Sequence, residues 1–593
     1  MSKKGKLTLA TALFGAALFG ASCGGGGGGT AAGGGGGGGN QPPPDTEEGR
    51  VLALLDVGGA SAGTLNPVTI CQLKSDNKAY CGSDLNPSAN VDLYYGYEFP
   101  NGNVVLAAGN VLYFFDGNQV IRPDKYRALG GISDISAPSG INIPSGTVTY
   151  YATDDFVIIH STGGGDTVIA VSKTGKVIKG TGISSSDINA SCGAVTKGGT
   201  TYKLNTDGTS SSTTIPTFRV EAGGKYLVSV PSGTNLNIYL SDSRCRLANA
   251  VLIRGNLSNF AGAKMAESGG KYYIAISHGT GGTSLNYYRV SGDSATDITP
   301  SGGITLHTNP TIYFYDLDGR GVLYAITAVD TVTAYKPTDG SSIGTGTVTG
   351  VDALLPFADR VLARGSANVF DVHASDTAVT VTSKGDTSSA LYTAVSRCTA
   401  GSSNTRAIDG VRTNFIRCVY ESGTTRVLYS LTTNDSGTYG NAYYNLPAAF
   451  NDVRWAPNKA LVSVDSPATI HLCNTTTTPT ISCSETDLPD IDPTNIDSGK
   501  YLKFNGNNVF YLSGSTLKVG DIFGTLTTLP IAVASATGGN ASFDLTKFAF
   551  SFRPAGAACN TQIAYLSSRT ASPKTYTIAQ PSNACVERIL KVY

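Results

Sequence analysis

Short apolar runs separated by turns rich in Gly, Asp and Ser recur along the chain from residue 50 onward. Segments such as 110–123 (NVLYFFDGNQVIRP) and 269–291 (GGKYYIAISHGTGGTSLNYYRVS) each hold two apolar runs joined by a turn, as β-hairpins do. The turn at Asp116-Gly117 suits a tight hairpin because glycine accepts a positive φ. No long stretch shows an apolar period of 3.6 residues. The pattern predicts an all-β chain with very little helix.

The hairpins group into larger units that restart about every 40–60 residues, a spacing typical of repeat architectures. Inner runs such as KYYIAIS (271–277) are apolar on both faces, as expected for a sheet packed between two others. We therefore predict a β-propeller of four-stranded antiparallel blades over residues 50–593, with about seven or eight blades preferred. A larger ring, two propellers and tandem β-sandwich modules are the alternatives.

Composition narrows the class of partner. The chain has 593 residues, with 43 basic and 43 acidic side chains, and only 15% of its residues are charged. Nucleic-acid binding needs a basic field, so zero net charge argues against it. The 40% of hydrophobic residues suffices for a large core.

The N-terminal residues form an export signal. Lys3, Lys4 and Lys6 precede the apolar run 7–19, which is too short to span a membrane. The following Gly-Ala-Ser-Cys, 20–23, resembles a bacterial lipobox with Gly in place of the usual Leu. This resemblance implies a signal peptide over 1–22 and acyl chains on the cysteine at position 23, Cys23. An ordinary signal peptide with a chance cysteine is the alternative.

A tether is predicted to follow. Residues 24–49 are nearly all Gly before Asn40-Gln41 and three prolines, a composition that cannot bury enough surface to fold. A flexible coil of about 26 residues reaches about 25–30 Å. The residue after Cys23 is Gly24 rather than Asp. By resemblance to proteobacterial lipoproteins, this implies an outer-membrane anchor, with the domain facing the periplasm or the cell surface.

Ten further cysteines form an even set, which favours disulfides in an exported chain. The 71/81 and 473/483 pairs flank short polar turns with equal spacing, and opposed hairpin residues lie within disulfide range. The 398/418 pair also flanks a polar turn. We predict sequential pairing: Cys71–Cys81, Cys192–Cys245, Cys398–Cys418, Cys473–Cys483 and Cys559–Cys585. No C-x2-C, H-x-H or H-E-x-x-H spacing occurs, which argues against zinc and haem.

One motif suggests a metal. Asp316-Leu317-Asp318-Gly319-Arg320-Gly321 resembles the calcium loops of integrin-type propeller repeats, which implies Asp316 and Asp318 as calcium ligands. Arg320 stands where a third acidic residue is expected. The alternative is a hairpin turn in which Arg320 pairs with an aspartate.

The single tryptophan argues against propeller families whose blades each need one. Around Trp455, VRWAPNKALVSV faintly resembles the W-S-P-D-G hairpin of the periplasmic Tol-system propeller, and FSFRPAG (550–556) is a second weak match. The two segments cover about 20 residues, too few to establish a family.

Four tyrosine pairs are candidate recognition groups, because tyrosine is favoured at binding surfaces and stacks on sugars. Neighbours in a strand face opposite ways, so each pair can give only one ring to a given surface. Packing between blades is the alternative role. The pairs are Tyr94-Tyr95, Tyr272-Tyr273, Tyr287-Tyr288 and Tyr443-Tyr444.

These features favour a membrane-tethered lipoprotein acting as a non-catalytic binding or scaffold module for protein or cell-envelope glycan, with no cofactor and no nucleic-acid partner. A glycan lyase or hydrolase on the same scaffold is the first alternative, since propellers gather catalytic groups from several blades. A calcium-dependent adhesin is the second.

Overall fold

A computed structural model describes most of the chain from residue 46 onward. The described ranges are 46–56, 68–82, 93–108, 110–117, 119–307, 314–399, 404–465, 469–476, 480–485, 500–505, 508–513, 516–521, 526–529, 540–543, 547–552, 557, 561–567, 572, 574–580 and 584–593. The predicted signal peptide and Cys23 lie outside these residues. Two compact units are distinguished: the described residues of Met1–Thr213, Leu512–Val519 and Thr528–Tyr593, and those of Thr214–Tyr511 and Gly520–Thr527.

Nearly all regular structure is β. The first strands are β1 Glu47–Asp56, β2 Val68–Lys74, β3 Lys78–Cys81, β4 Leu93–Glu98, β5 Val104–Ala108, β6 Val111–Phe115, β7 Val120–Ile121, β8 Lys125–Ala128, β9 Asp134–Ser136, β10 Val148–Ala152, β11 Phe156–Ser161, β12 Thr167–Ser172, β13 Val177–Gly180, β14 Ile188–Asn189, β15 Ala194–Lys197, β16 Thr200–Leu204 and β17 Ser210–Ser212. The one-turn helix α1, Gly163–Asp166, lies between β11 and β12, and single 3-10 turns span Ser185–Asp187 and Ala190–Cys192.

The middle of the chain continues the same plan. Its strands are β18 Thr217–Ala222, β19 Lys225–Ser232, β20 Asn235–Ser241, β21 Val251–Leu257, β22 Gly262–Ser268, β23 Lys271–His278, β24 Ser284–Ser291, β25 Ser294–Asp297, β26 Ile304–Thr305, β27 Tyr315–Leu317, β28 Leu323–Ala328, β29 Thr331–Tyr335, β30 Ser342–Thr347, β31 Ala353–Pro356, β32 Arg360–Arg364, β33 Asn368–Ala374 and β34 Val379–Asp386. A 3-10 turn spans Thr280–Gly282, and helix α2 spans Ala390–Cys398.

The remaining strands are β35 Thr405–Asp409, β36 Phe415–Ser422, β37 Thr425–Thr433, β38 Tyr439–Asn445, β39 Ala449–Ala456, β40 Lys459–Asp465, β41 Thr469–Asn474, β42 Ser482–Glu485, β43 Lys500–Asn505, β44 Asn508–Ser513, β45 Thr516–Asp521, β46 Leu526–Leu529, β47 Asn540–Phe543, β48 Phe548–Phe552, β49 Gln562–Leu566, β50 Lys574–Gln580 and β51 Cys585–Val592.

Most strands form four-stranded sheets that follow chain order. We number the sheets 1 to 11. Sheet 1 has the order β47-β48-β49-β50-β3-β2-β1-β51, sheet 2 holds β4–β7, sheet 3 has the order β10-β11-β12-β13-β8-β9, and sheet 4 holds β14–β17. Sheets 5 to 11 hold β18–β21, β22–β25 with β26 beside β24, β27–β30, β31–β34, β35–β38, β39–β42 and β43–β46.

The all-β prediction with four-stranded antiparallel blades is confirmed. The described residues contain eleven sheets, which is more than the seven or eight blades preferred from the sequence. How many blades share one ring stays a prediction, as does the single domain over 50–593. Strand β1 begins at Glu47, within the segment assigned to the tether.

The cores of the second unit lie between consecutive sheets, and each inner sheet uses both faces. In sheet 7, Leu323 and Ala325 pack with sheet 6, whereas Tyr324 and Ile326 pack with sheet 8. A β-sandwich module would bury one face of each sheet, so this arrangement argues against the sandwich alternative. The first strands β22, β27 and β31 lie beside one another, so residues on them and on the loops that follow meet between sheets.

In the part of the chain that the structure describes, no helix combines the length and the hydrophobicity needed to cross a membrane.

Candidate functional site

The two predicted calcium ligands lie among the most buried polar groups of the second unit. Asp316 is the middle residue of β27, and Asp318 begins the turn into β28. The exposed fractions are 3% for Asp316 and 0% for Asp318. A buried carboxylate needs a compensating charge, so its partners decide its role.

Asp316 is held by two cations from distant parts of the chain. The Nζ of Lys264, on β22, lies 2.9 Å from Oδ2, and the Arg412 guanidinium pairs with Oδ1. Arg412 also donates from Nε to the Leu317 carbonyl over 3.0 Å. Burial alone would raise the pKa of Asp316, but Lys264 and Arg412 outweigh it and hold this pKa below its usual value. The carboxylate is therefore ionised and ties sheets 6, 7 and 9 together.

Arg412 adopts an unusual backbone conformation to reach this carboxylate. Its φ is +69°, in the left-handed region that non-glycine residues seldom occupy. Its N–H donates to the Pro356 carbonyl over 3.1 Å, and Gly319 packs against its carbonyl. A Cβ at Gly319 would lie 2.6 Å from the Arg412 oxygen and 2.7 Å from that of Ala358, so only glycine fits here.

Asp318 binds the arginine of its own motif. Arg320 donates to Oδ2 from Nη2 over 2.7 Å and from Nε over 3.0 Å, while the N–H groups of Arg320 and Val322 donate to Oδ1. Burial raises the pKa of Asp318, and the charge and hydrogen bonds of Arg320 oppose this rise. The interpretation of the motif as a turn with an Asp–Arg pair accounts for these contacts.

The contacts of Asp316 and Asp318 do not support the calcium hypothesis. Asp316 and Asp318 are each occupied by side-chain cations that a calcium ion would have to displace. The described residues contain no group of three or more His, Cys, Asp or Glu side chains placed to hold a metal. The calcium site stays a prediction.

Three arginines, which we call the arginine latches, repeat one arrangement between sheets. Arg320 donates to the carbonyls of Asp359 (2.6 Å) and Ala374 (3.0 Å) in sheet 8. Arg360 donates to the carbonyl of Asp435 in sheet 9 over 2.9 Å. Arg417 donates to the carbonyls of Ala456 (2.6 Å) and Lys459 (3.0 Å) in sheet 10. Each latch also pairs with an aspartate of its own sheet: Asp318, Asp359 and Asp409. Charged groups near the starts of β28, β32 and β36 thus fasten each sheet to the next.

A partly buried tyrosine extends the Arg360 latch. Arg360 lies 3.3 Å from the Asp371 carboxylate, and the Tyr439 hydroxyl donates to the other oxygen of Asp371 over 2.8 Å. Burial raises the pKa of Tyr439, and the Asp371 charge raises it further. Tyr439 is therefore a protonated hydrogen-bond donor that joins sheets 8 and 9.

Three predicted disulfides are confirmed. Cys71 and Cys81 face each other on β2 and β3, as do Cys473 and Cys483 on β41 and β42. The third bond links Cys398 and Cys418, with 5.5 Å between their Cα atoms. This bond joins a helix to a strand, because Cys398 ends helix α2 and Cys418 lies on β36. The bonds are Cys71–Cys81, Cys398–Cys418 and Cys473–Cys483.

The remaining pairings stay predictions. Cys192, Cys245 and Cys585 are disulfide-bonded, but the pairings Cys192–Cys245 and Cys559–Cys585 are not tested. Cys559 lies outside the described residues.

The tyrosine pairs divide between packing and exposure. Tyr287 and Tyr288 are both buried, and Tyr273 is 7% exposed. In the last pair Tyr443 is 40% exposed, whereas Tyr444 packs against the core shared by sheets 9 and 10. The side chains of Tyr94 and Tyr95 lie outside the description. Among the rings of these pairs that the structure describes, Tyr443 is the exposed one.

The first unit has an open cleft of about 370 Å³ where β1 begins. Charged residues and one phenol line it: Glu47, Glu48, Arg50, Lys547 and Tyr593. Glu48 accepts hydrogen bonds from the Lys574 ammonium and, over 2.7 Å, from the Tyr576 hydroxyl. The Lys574 bond lowers the pKa of Glu48 most. These contacts fix the start of β1 against β50.

Three side chains that make long-range contacts were not predicted from the sequence: Lys264, Arg412 and Arg397. The first two meet Asp316 across 52 and 96 residues of chain. Arg397 lies on α2, a helix that the β-rich pattern did not predict. Its sequence signal was available, since Ser389 precedes the run ALYTAVSRC and caps it by accepting from the Tyr392 N–H.

No protein-family model matches the sequence, and comparison with curated proteins finds no match. Among solved structures, a Lactobacillus plantarum protein is 16% identical with a TM-score of 0.29, covering 49% of this chain and 92% of that one. BamB from Moraxella catarrhalis is 11% identical with a TM-score of 0.24, covering 64% and 99%. Apo AztD from Citrobacter koseri is 10% identical with a TM-score of 0.26, covering 66% and 96%. At these identities and scores, the likenesses carry no argument about function.

Proposed function

We propose that the protein is an exported lipoprotein whose repeat domain is a non-catalytic binding or scaffold module for protein or cell-envelope glycan. Acyl chains on Cys23 anchor it to the outer membrane, and the residues between Cys23 and the start of β1 at Glu47 hold the domain off the bilayer. The export signal, the lipobox resemblance and the glycine-rich composition support the anchor.

One observation carries the scaffold role: the best-shielded carboxylates of the second unit serve to fasten sheets. Asp316, Asp318 and Asp371 are each at most 6% exposed, and each lies in ion pairs or hydrogen bonds that tie two strands or sheets together. A general acid or base needs a proton position within reach of substrate. These carboxylates instead form a rigid frame that presents outer side chains to a partner.

The binding role is tested with the full lipidated chain in detergent. Saturable binding to isolated envelope fractions, with the recovered envelope glycan and protein unchanged in mass, supports the proposal. Steady release of glycan fragments or peptides at catalytic amounts of protein overturns the non-catalytic assignment.

The anchor is tested by metabolic labelling with a fatty-acid analogue. Wild type should carry the label and partition with membranes, while Cys23→Ser should lose both properties. The double variant Cys398→Ser/Cys418→Ser is the control, since it removes cysteines outside the predicted lipobox without leaving an unpaired thiol. Equal labelling of wild type and Cys23→Ser would refute the anchor.

A further inference from the structure

Arg397 differs from the arginines that surround it in the sequence. The other arginines of the described residues between 314 and 445 all have carboxylate partners: Arg320, Arg360, Arg364, Arg406, Arg412, Arg417 and Arg426. Arg397 has none among the described residues. Its guanidinium carbon lies 5.0 Å from the centre of the Tyr420 ring and 5.9 Å from that of Tyr429. Arg397 is thus a cation held by aromatic rings, and within the described residues its guanidinium donates to the Tyr429 hydroxyl.

Helix α2 fixes the position of this arginine. The Ser389 side chain caps the helix start, and the Tyr392 hydroxyl donates to the Gly365 carbonyl over 3.2 Å. At the other end, the Cys398–Cys418 disulfide follows Arg397 directly and ties it to β36. Arg397 also donates from Nη1 to the Tyr429 hydroxyl over 2.5 Å. A cation placed in this way loses little freedom on binding an anion.

The cluster formed by Arg397 and its aromatic neighbours extends to the protein surface. Cys418, Tyr429 and Tyr443 oppose one another on β36, β37 and β38, so their side chains share one face of sheet 9. The rings of Tyr429 and Tyr443 lie 6.4 Å apart, and Tyr443 is 40% exposed. We call the group of Tyr420, Arg397, Tyr429 and Tyr443 the aromatic ladder.

Amide side chains flank the exposed ring. Asn441 and Asn445 lie two residues before and after Tyr443 on β38, and therefore on the same face. Asn445 is exposed, whereas the Asn441 amide nitrogen and oxygen are buried without a hydrogen-bond partner among the described residues. Leaving such an amide unpaired is unfavourable. The Asn441 amide is closed to a ligand, so Asn445 is the amide beside Tyr443 that a ligand hydroxyl can reach from the exposed face.

We propose that the aromatic ladder binds an acidic saccharide of the uronic-acid class. One sugar ring of an oligosaccharide stacks on Tyr443, a carboxylate of the same oligosaccharide pairs with Arg397, and hydroxyls bond the exposed amide of Asn445. This inference rests on the proposed function and narrows its ligand to an acidic glycan.

An acidic peptide is the competing ligand, and the strand edge disfavours it. Peptides that add to a sheet use the free backbone groups of its edge strand. At Tyr443 that edge is engaged, because the Ile481 N–H donates to the Tyr443 carbonyl over 3.0 Å and Thr480 bridges the same residue. Ring stacking with amide contacts needs only the exposed face.

The test uses calorimetry with the full chain in detergent. The probes are oligogalacturonate, alginate and hyaluronan oligosaccharides, methyl-esterified oligogalacturonate and a poly-glutamate peptide. We expect at least one uronate to bind and Arg397→Gln to weaken it about tenfold or more, as loss of a charge-assisted pair implies. Tyr443→Ala should weaken it similarly, Tyr443→Phe should retain it, and the ester should bind weakly whether or not Arg397 is present.

The matched control is a second exposed cation–ring pair. Arg244 lies 5.2 Å from the ring of Phe218, which is 39% exposed. Arg244→Gln and Phe218→Ala should leave uronate binding unchanged. Tyr443 is a surface ring, so its variants test the ladder even if Arg397→Gln fails to fold.

The same proteins are then compared on isolated envelope fractions. The inference is overturned if no uronate binds, or if uronate binding is unchanged both by Arg397→Gln and by Tyr443→Ala. Binding of poly-glutamate alone, with Arg397 required, overturns the saccharide assignment. If wild type and the ladder variants bind the envelope equally, the scaffold function stands without this ligand. If wild type fails to bind the envelope, the proposed function itself fails.

Discussion

Removing the charge of Asp316 should destabilise the second unit strongly. Asp316→Asn keeps the shape of the side chain but leaves Lys264 and Arg412 facing each other without a carboxylate. Breaking a buried ion pair in this way costs about 3–5 kcal/mol. The side chains of Lys264 and Arg412 are 15% and 20% exposed, so water relieves part of the loss. We therefore expect about 3 kcal/mol, which is more than a hundredfold in the unfolding equilibrium.

Urea unfolding followed by tryptophan fluorescence measures this loss. Trp455 is the single tryptophan of the chain and lies on β39 against Arg417, so it reports on the second unit. The control is Asp352→Asn, because Asp352 makes two bonds to Arg364 of 2.7 and 2.8 Å yet its side chain is 53% exposed. An exposed pair of this kind is worth below about 1 kcal/mol.

The reasoning is refuted if the two variants lose equal stability. A double-mutant cycle adds a second criterion, since Lys264→Met in the Asp316→Asn background removes one of the two stranded cations. The double variant should be more stable than the sum of the single losses implies. Strict additivity would show that Lys264 and Asp316 are not energetically coupled.

Three further predictions concern the same unit. Calcium or a chelator should leave the unfolding midpoint of the second unit unchanged. A ligand raises stability only by binding the native state, and side-chain cations already pair with Asp316 and Asp318. A midpoint raised by calcium alone would support the metal hypothesis again. The difference in free energy of unfolding between wild type and Asp316→Asn should have its full size above the ordinary aspartate pKa of about 4. It should shrink as the pH falls through the lowered pKa of Asp316 in the native state. A difference that does not change with pH in acid would contradict this. Replacing Cys398 and Cys418 together by Ser should lower stability by about 3 kcal/mol for a loop of this length, measured by urea unfolding of the variant and of wild type without reductant; equal midpoints would contradict this.

Local pairings could be predicted from the sequence. The Cys71–Cys81 and Cys473–Cys483 bonds join strands that are adjacent in the chain, so the turn between them determines the register. The all-β architecture followed from the same hairpin pattern, because each four-stranded sheet is built from consecutive strands.

Contacts between sheets could not be predicted in this way. Two aspartates separated by one residue suggested a shared metal, yet each carboxylate takes its cation from its own surroundings. The partners of Asp316 lie in sheets 6 and 9, and spacing within one motif carries no information about them. The aromatic ladder could not be predicted for a related reason, since Arg397 and Tyr443 both come close to Tyr429 only once α2 packs on sheet 9.

The placement of β1 has a mechanical consequence. This strand pairs antiparallel with β2 on one side and with β51 on the other, and Lys574 and Tyr576 hold Glu48 near its start. A pull along β1 from its first residue loads two ladders of hydrogen bonds in shear, so many bonds must break together instead of opening one at a time. A domain anchored through this strand would stay folded and bound to a partner when a force pulls the partner away from the membrane.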